Sequence, residues 1–427
     1  MSSEEELNCA TTDVVIVGAG MVGATLALAL ASCEKLRVTL IDGGQPGQFV
    51  GNQHQSQAGA DYTVDDFDIR VSAITHASKR LLQNLGVWSA IEQKRVSPYQ
   101  GMKVWDADGT GNITFDAADV YQHELGHIVE NSAILSALHY ALQRCENITC
   151  LFGRSVAQFE SATANPVVTL DDGQVLRCLL VVAADGANSR LRQWANIPTR
   201  EWDYQHHAII CTVETEKPHR GVARQRFLDT GPLAFLPLFS AQPQDRFCSI
   251  VWSAKPALAT SLMQLQDDAF SQALENAFES QLGKIKAVSK RVSIPLRQRH
   301  AKYYIKSGFA LIGDAAHTIH PLAGQGVNLG LADAMVLAEE LIKAANSGVS
   351  VGDTRILARF ERRRQGSNLA MMGVMEGFKR LFSADDVSLR WLRNTGLKLF
   401  DQSTFIKKEL ISQAMGERVR VPLFERQ

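Results

Sequence analysis

Three glycines and an acid carry the first chemical signal of the chain. Gly18-Ala-Gly20-Met-Val-Gly23 follows the short β-branched run 13–17 and leads into residues 24–31, which read as a helix. In such a strand–turn–helix unit, Gly18 permits a tight turn. Gly20 lets the backbone approach a pyrophosphate, and Gly23 lets the helix pack on the strand. The free N–H groups and positive end of the helix then face phosphate charge. Residues 37–41 read as a second strand ending at Asp42, about twenty residues after the glycines, where an acid bonds a ribose hydroxyl. The pattern predicts a dinucleotide site and does not by itself separate FAD from NAD.

A second segment narrows the choice. Phe309-Ala-Leu-Ile-Gly313-Asp314-Ala-Ala-His317 continues as Thr-Ile-His320-Pro321-Leu-Ala-Gly324-Gln325-Gly326-Val327-Asn328. Asp314, at a strand's end, suits a second polyol such as the ribityl chain of a flavin. The glycine-rich turn starts a helix near Val327. Its N–H groups suit the flavin N1–C2=O edge, where reduced flavin is negative. The bland alternative is an ordinary strand–turn–helix with a C-terminal acid. His317 and His320 lie in this turn, with structural hydrogen bonding as the default and proton handling as the alternative. His317 and Pro321 are the candidates for a catalytic position.

Other signals compete. His123-Glu124-Leu-Gly-His127 spells H-E-x-x-H, and Glu146 stands where a third zinc ligand could. A zinc peptidase would need both rings on one helix face. Gly126 interrupts the segment, residues 127–130 read as strand, and Asn131-Ser132 reads as the cap of the next helix. The expectation is therefore packing or surface histidines and no metal. His206-His207 reads as an exposed strand turn, with a catalytic or ligand role as the alternative. Arg359-Phe-Glu-Arg-Arg-Arg364 reads as a solvated helix face, with anionic lipid or a partner as the alternative. Met371, Met372, Met375, Phe378, Leu381 and Phe382 read as a core seam rather than a lipid site. A flavin-binding scaffold without catalysis is the non-enzymatic reading.

The elements that must position these groups fit an ordinary globular chain. Its 427 residues are 45% hydrophobic and 21% charged with net charge −1, so two or three substructures are expected and no nucleic-acid partner. The seven cysteines include no C-x-x-C pair and the N-terminus is acidic, which predicts reduced thiols in a cytosolic protein. No apolar run reaches the roughly 18 residues of a membrane span. Residues 73–85 and 132–144 read as helices, 176–184 as a buried strand, 208–253 as antiparallel sheet, and the chain beyond Gln325 as helical to Gly416. The expected fold is α/β: a Rossmann-like FAD-binding domain (10–195 plus 297–355), an inserted antiparallel-sheet substrate domain (196–296) and a C-terminal helical region (356–427). Phe227, Leu233, Phe235, Leu236, Leu238 and Phe239 of the insert are candidates to line an apolar channel over the flavin.

Several of these segments resemble a known family. Residues 313–330 are similar to the second FAD motif of the flavoprotein hydroxylases related to 4-hydroxybenzoate hydroxylase, and the resemblance runs over nearly the whole chain. Leu180-Val-Val-Ala-Ala-Asp185-Gly186-Ala-Asn-Ser-Arg190 resembles their Asp-Gly motif, thought to touch FAD and the nicotinamide donor. Asp68-Ile-Arg70-Val-Ser-Ala-Ile resembles a segment whose arginine lies beside the flavin. Gly126-His-Ile-Val-Glu-Asn131 resembles one whose polar residue sits near the FAD phosphates. Within that group, the string from Gly313 to Gly330 resembles the ubiquinone-biosynthesis hydroxylases. Trp202-Asp-Tyr204-Gln-His-His207, Val222-Ala-Arg-Gln225 and Leu233-Ala-Phe-Leu-Pro237 resemble their 2-octaprenylphenol 6-hydroxylase branch, which acts at ring carbon C5. Asp42 stands where glutamate is usual; either acid can bond a ribose.

The resemblance implies an NAD(P)H- and O2-dependent monooxygenase with non-covalent FAD. A flavin C4a-hydroperoxide would hydroxylate a polyprenylated phenol, and the donor would visit transiently. Implied cofactor-binding residues are Gly18, Gly20, Gly23, Asp42, Arg70, Asn131, Asp185, Asp314, Gly324, Gln325, Gly326, Val327 and Asn328. The implied partners are the phenol, O2, a second copy of the chain and other ubiquinone-biosynthesis proteins. A cytoplasmic location, with peripheral contact to the inner membrane as an option, goes with them. Another ring position or a soluble phenol is the alternative substrate reading.

Overall fold

The short β-branched runs form one buried sheet. In the computed structural model, which describes residues 9–46, 62–106, 112–160, 165–240, 244–318 and 326–383, six strands lie in the order Ile305–Lys306, Phe309–Leu311, Leu180–Ala183, Val14–Val17, Val38–Asp42 and Ile148–Phe152. All pairs are parallel except the edge hairpin of Ile305–Lys306 with Phe309–Leu311. Parallel strands are covered on both faces, which explains their near-continuous apolar runs. Val14, Val15, Ile16 and Leu180 to Ala183 are fully buried. Helices Met21–Leu30, Asn131–Leu142 and Gly326–Asn346 share this core with Val156, Phe159, Val168 and Leu170 of a four-stranded sheet.

Because Val17 pairs with Ile41 and Ala183, and Ala183 with Leu311, the carboxyl ends of these strands gather at one edge. Ligands of open α/β sheets bind in the crevice outside that edge. Both predicted motifs, and Asp185, begin there.

Two predicted elements divide. Residues 73–85 are not one helix: Val71–Ile74 is a strand, Thr75 caps, and His76–Asn84 is the helix, with Thr75 Oγ1 accepting the Ser78 N–H. Residues 176–184 are not one strand. Val175–Arg177 pairs in the four-stranded sheet, and Leu180–Ala183 enters the parallel one. The helical region beyond Gln325 is two helices, Gly326–Asn346 and Thr354–Ser383, parted where Gly348 takes a left-handed φ of 69°. The remainder of that reading, to Gly416, lies outside the described residues.

The β-rich middle belongs to a nine-stranded sheet. Thr199–Thr215 is central, flanked by Val292–Ala301 and Phe247–Ala254, and the sheet continues through Gly231–Pro237 and Val222–Leu228. The insert is not self-contained: Gly101–Asp106 joins by parallel pairing with Val222–Leu228, and Asn112–Asp116 follows it. Alternation along Gly231–Pro237 assigns the two faces. Leu233 and Phe235 pack with Trp252, Phe270 and Phe278 under the helices Pro256–Gln264 and Asp267–Ala277. Ala234 and Leu236 join Tyr62, Phe67, Tyr99, Leu125 and Ile128 on the other face. The six residues expected to line one channel therefore separate. Leu233 and Phe235 face the helices, Leu236 and Leu238 the N-terminal part of the chain, and Phe227 contacts Ile113, while Phe239 is exposed. Phe235 stacks on Phe278, and burying such a ring stabilises the fold by about 1.5–3 kcal/mol.

Candidate functional site

The first turn is closed by its glycines and held open toward the crevice. Gly18 adopts φ 105°, and a Cβ there would lie 2.3 Å from the Ala184 carbonyl oxygen. A Cβ at Gly23 would lie 1.9 Å from the Gly18 oxygen. At Gly20 a Cβ would meet nothing within 4 Å. The two outer glycines are required by the fold; the middle one is required only by something that approaches it. Asp42 fixes the turn: its carboxylate accepts the N–H groups of Ala19 at 2.6 Å and Gly44 at 2.7 Å. His139, buried on Asn131–Leu142, donates from Nε2 to the Ala19 carbonyl at 2.8 Å. No sequence motif pointed to His139.

Beside this turn is a cleft of about 390 Å³, lined by Gly18, Gly20, Asp42, Arg154, Asp185 and Arg190 among others. Asp185 accepts the N–H groups of Arg190 and Leu191 through Oδ2, which starts the short helix Arg190–Trp194. Its Oδ1 is buried and makes no hydrogen bond. Arg192, also buried and unpredicted, donates to the carbonyls of Ala187 at 2.9 Å and Ala315 at 2.7 Å, tying the Asp-Gly segment to the second motif. Burial and the neighbouring Arg299 lower its pKa from the ordinary arginine value.

The second turn, Gly313–Ala315, is a single 3-10 turn after the strand Phe309–Leu311. Gly313 and Gly330 both pack against Val22 of the first helix; a Cβ at Gly330 would lie 2.6 Å from a Val22 methyl. The two motifs are thus locked side chain to backbone. Asp314 is exposed to solvent, with protein packed around its carboxyl. That burial raises its carboxyl above the ordinary value, opposed by the charges of His317 and Arg70. Arg70 is itself exposed, and its carbonyl accepts the Asn131 N–H. Asp68 accepts the Arg70 and Ser132 N–H groups, and Asn131 Oδ1 accepts Ser72 Oγ–H. Asp185 and Asp314 follow neighbouring strands of the parallel sheet, Arg70 is close enough for its charge to act on Asp314, and Asn131 is joined to Arg70 by a backbone hydrogen bond.

Gly326 and Val327 open the helix Gly326–Asn346 as expected. The Asn328 side chain is turned to structure: it donates to the Ala73 carbonyl and accepts from Thr75. His317 is buried and donates from Nε2 to Asp333 at 2.5 Å, an anchor rather than an open proton-transfer group. His320, Pro321, Gly324 and Gln325 lie outside the described residues.

The H-E-x-x-H string does not occupy a helix. Gly126–Glu130 is a strand, His123 is exposed, and His127 is buried. Lys79 Nζ stands 3.0 Å from His127 Nε2 and 3.0 Å from the Glu124 carboxylate, so an ammonium already occupies the place a zinc ion would need. His206 donates from Nδ1 to the Tyr204 carbonyl and is half-buried on a strand bulge. The basic run needs a correction. Arg359, Arg362 and Arg363 are exposed, but Arg364 is buried and bonds Asp333 at 2.7 Å. Met372 is buried; the side chains of Met375, Phe378, Leu381 and Phe382 lie outside the described set.

An open backbone at Gly20, a buried carboxylate oxygen of Asp185 without a partner, and two helix N-termini at one crevice fit a dinucleotide. A family model described as an FAD binding domain matches residues 60–372. The chain belongs to this FAD-binding family. It is an FAD-dependent, oxygen-using monooxygenase. The monooxygenase is 36% identical over 405 residues to the 3-demethoxyubiquinol 3-hydroxylase of Escherichia coli, covering 95% of this chain and 98% of that protein. It is 34% identical over 451 residues to the mitochondrial ubiquinone biosynthesis monooxygenase COQ6 of Xenopus tropicalis, covering 95% and 93%. Among solved structures, the p-nitrophenol 4-monooxygenase of Pseudomonas putida shares the fold of this monooxygenase. The TM-score is 0.74 at 18% identity, over 96% of this chain and 99% of that one.

Proposed function

We propose that this monooxygenase hydroxylates the ring of a polyprenylated phenol in ubiquinone biosynthesis, at C5 of a 2-octaprenylphenol. Ring hydroxylation in ubiquinone biosynthesis is supported by likeness, over 95% of the chain, to a 3-demethoxyubiquinol 3-hydroxylase and a ubiquinone biosynthesis monooxygenase; the C5 position rests on the resemblance of residues 202–207, 222–225 and 233–237. When bound, FAD supplies the activation of dioxygen, after reduction by a transient NAD(P)H donor. The chain's own residues do the rest. Gly20 would admit the pyrophosphate, while Asp42, by holding Ala19 and Gly44, would keep the turn in shape beside a ribose. Asp314 would bond the ribityl chain, and Arg70 would balance its charge. Asn131 would offer its side-chain amide N–H to phosphate, and the first turn at Gly326 and Val327 would offer backbone N–H groups to the flavin. Asp185, with one oxygen already committed to Arg190, would have the other for the ligand.

The segments 10–195 and 297–355 would hold FAD non-covalently. Segment 196–296, with the strands of 101–116, would cover the phenol, and 356–427 would form a helical region. The buried apolar cluster of Ala234, Leu236 and Phe247 with Tyr62, Phe67 and Leu125 would help to exclude water from the phenol. No described helix is long and apolar enough to cross a membrane. The prenyl tail would bring the enzyme into peripheral contact with the inner membrane, with a second copy and other ubiquinone-biosynthesis proteins as partners.

Phenols carrying prenyl tails of increasing length test the substrate. Each enclosed CH2 contributes about 0.8 kcal/mol, so one enclosed isoprene unit should raise apparent affinity by more than about tenfold. Product mapping by NMR reads the ring position. Hydroxylation elsewhere on the ring is the rival, because the Escherichia coli relative is named a 3-hydroxylase. A soluble phenol acid turned over with equal affinity and coupling would sink the prenyl reading.

A further inference from the structure

The second turn is held by a side chain that none of the motifs contains. Asp333, on Gly326–Asn346, is 0% exposed and accepts four hydrogen bonds. Oδ2 takes the Gly313 N–H at 3.1 Å and His317 Nε2–H at 2.5 Å. Oδ1 takes Arg364 Nε–H at 2.7 Å and Asn368 Nδ2–H at 3.1 Å. A carboxylate offers about four lone-pair sites, so this one is saturated. Its two oxygens divide by origin: one serves the turn that carries Asp314, the other serves the C-terminal helix Thr354–Ser383. Arg364 also donates to Asn368 Oδ1 at 2.8 Å, and Asn368 donates to the Tyr304 hydroxyl at 3.2 Å. Tyr304 in turn meets His300 at 3.0 Å. Burial alone would push the Asp333 carboxyl up; the charges and hydrogen bonds of His317 and Arg364 outweigh it and hold the group well below the usual carboxylate range.

We propose that Asp333 is a positioning residue for the cofactor: it clamps Gly313 and His317 to the C-terminal helix through Arg364 and Asn368, so that FAD affinity depends on how that helix is docked. Gly313 immediately precedes Asp314, so any release of the Gly313 N–H moves the carboxylate offered to the ligand. A buried ion pair broken on one side leaves an uncompensated charge, whereas removal of both charges is often nearly neutral in stability. Stability and positioning can therefore be separated. The inference rests on the FAD assignment and is independent of the phenol.

FAD is titrated into apo protein of Asp333→Asn, Arg364→Met, Asp333→Asn/Arg364→Met and Asn368→Ala. Quenching of flavin fluorescence gives Kd, the bound visible spectrum reports the flavin environment, and apo Tm is measured in parallel. Each single charge variant should lose Tm and bind FAD at least about tenfold more weakly. The double variant should regain most of the Tm and stay about tenfold weak, with a shifted spectrum. Asn368→Ala, which keeps every charge, should weaken FAD about threefold, and it decides the matter if the charge variants fail to fold. A double variant that regains wild-type Kd together with Tm would overturn the proposal. Arg364→Met or Asn368→Ala with a lower Tm but unchanged Kd and spectrum would do the same, since Asp333 would then only support the fold.

Discussion

The two turns at the crevice reach the same edge of the parallel sheet by different means. At the first, Gly18 and Gly23 close on each other and on Ala184, and the only side chains that bond the Ala19 backbone among the described residues are Asp42, at its N–H, and His139, at its carbonyl. At the second, Gly313 leans on Asp333, 20 residues on, and Asp333 leans on Arg364 and Asn368 a further 31 and 35 residues away. One turn is shaped by the absence of side chains, the other by a buried charge network assembled from two helices. Steric closure tolerates nothing in its place. A charge network tolerates exchange provided its members change together.

The largest expected effect breaks the first turn. Gly23→Val would drive a Cβ into the Gly18 carbonyl from a starting separation of 1.9 Å, in a fully packed helix–strand contact. Overpacking against backbone should cost about 3 kcal/mol or more. Mostly insoluble, colourless protein is expected, and a soluble yellow variant with wild-type Tm would contradict the steric account. Gly20→Val separates ligand from fold within the same turn. Its Cβ enters open space, so the stability of the apo protein should change by less than about 0.5 kcal/mol. FAD affinity should nonetheless fall by about a hundredfold, because the valine occupies the line of pyrophosphate approach. Full FAD content in the purified variant would remove Gly20 from the site.

At the second turn the comparable local change is smaller. Asp314→Ala deletes an exposed carboxylate without disturbing packing. A charge-assisted hydrogen bond is worth roughly 1.5–3 kcal/mol, so FAD should bind about 10- to 150-fold more weakly at unchanged apo Tm. Equilibrium titration reads this directly, and an unaltered Kd would move the ribityl contact elsewhere.

This contrast also explains how far the sequence could be read. The parallel sheet, the inserted antiparallel sheet and the glycine turn were legible because short apolar runs and glycine spacing are local signals. The strand–helix break at Thr75 was missed because the apolar pattern continues across it and only the cap divides it. The parallel pairing of Gly101–Asp106 with Val222–Leu228 has no local signature at all. Arg364 was read as solvated from its basic neighbours, though only three of the four arginines in that run are exposed. A signal was available for Asp333. It is a lone acid in the apolar stretch Leu331-Ala-Asp333-Ala-Met-Val-Leu, and a buried acid must be paired. The identity of its partners, on another helix, could come only from the fold.

The smallest expected effect is one of acid, and it should fall on the second turn. His300 is buried, and its pKa is lowered from 6.5 to about 4 by burial, with His317 and Arg200 adding repulsion. Tyr304 accepts from Asn368, so its hydroxyl proton is free to bond His300 Nε2, which fits a neutral imidazole. The folded state therefore binds this proton less readily than the unfolded chain. Stability is complete above the unfolded value of 6.5, falls as pH drops toward 4, and is level below that. Between pH 7 and 5 the loss should be about 1–2 kcal/mol for this one group. His127 is lowered to about 4 as well, with burial as the main cause, and contributes in the same window, so the two are separated by substitution. The gap between urea midpoints at pH 7 and 5 should narrow by this group's share in His300→Gln, which keeps an acceptor for Tyr304 but does not titrate. His127→Gln should remove its own share and leave FAD affinity unaffected at either pH. In the wild type, FAD should weaken with acid alongside stability, because charging His300 strains the bonds that lead through Tyr304 and Asn368 to Asp333. If His300→Gln shows the same acid weakening of FAD as the wild type, the network behind the second turn does not transmit that charge, and the turn is more self-sufficient than its hydrogen bonds suggest.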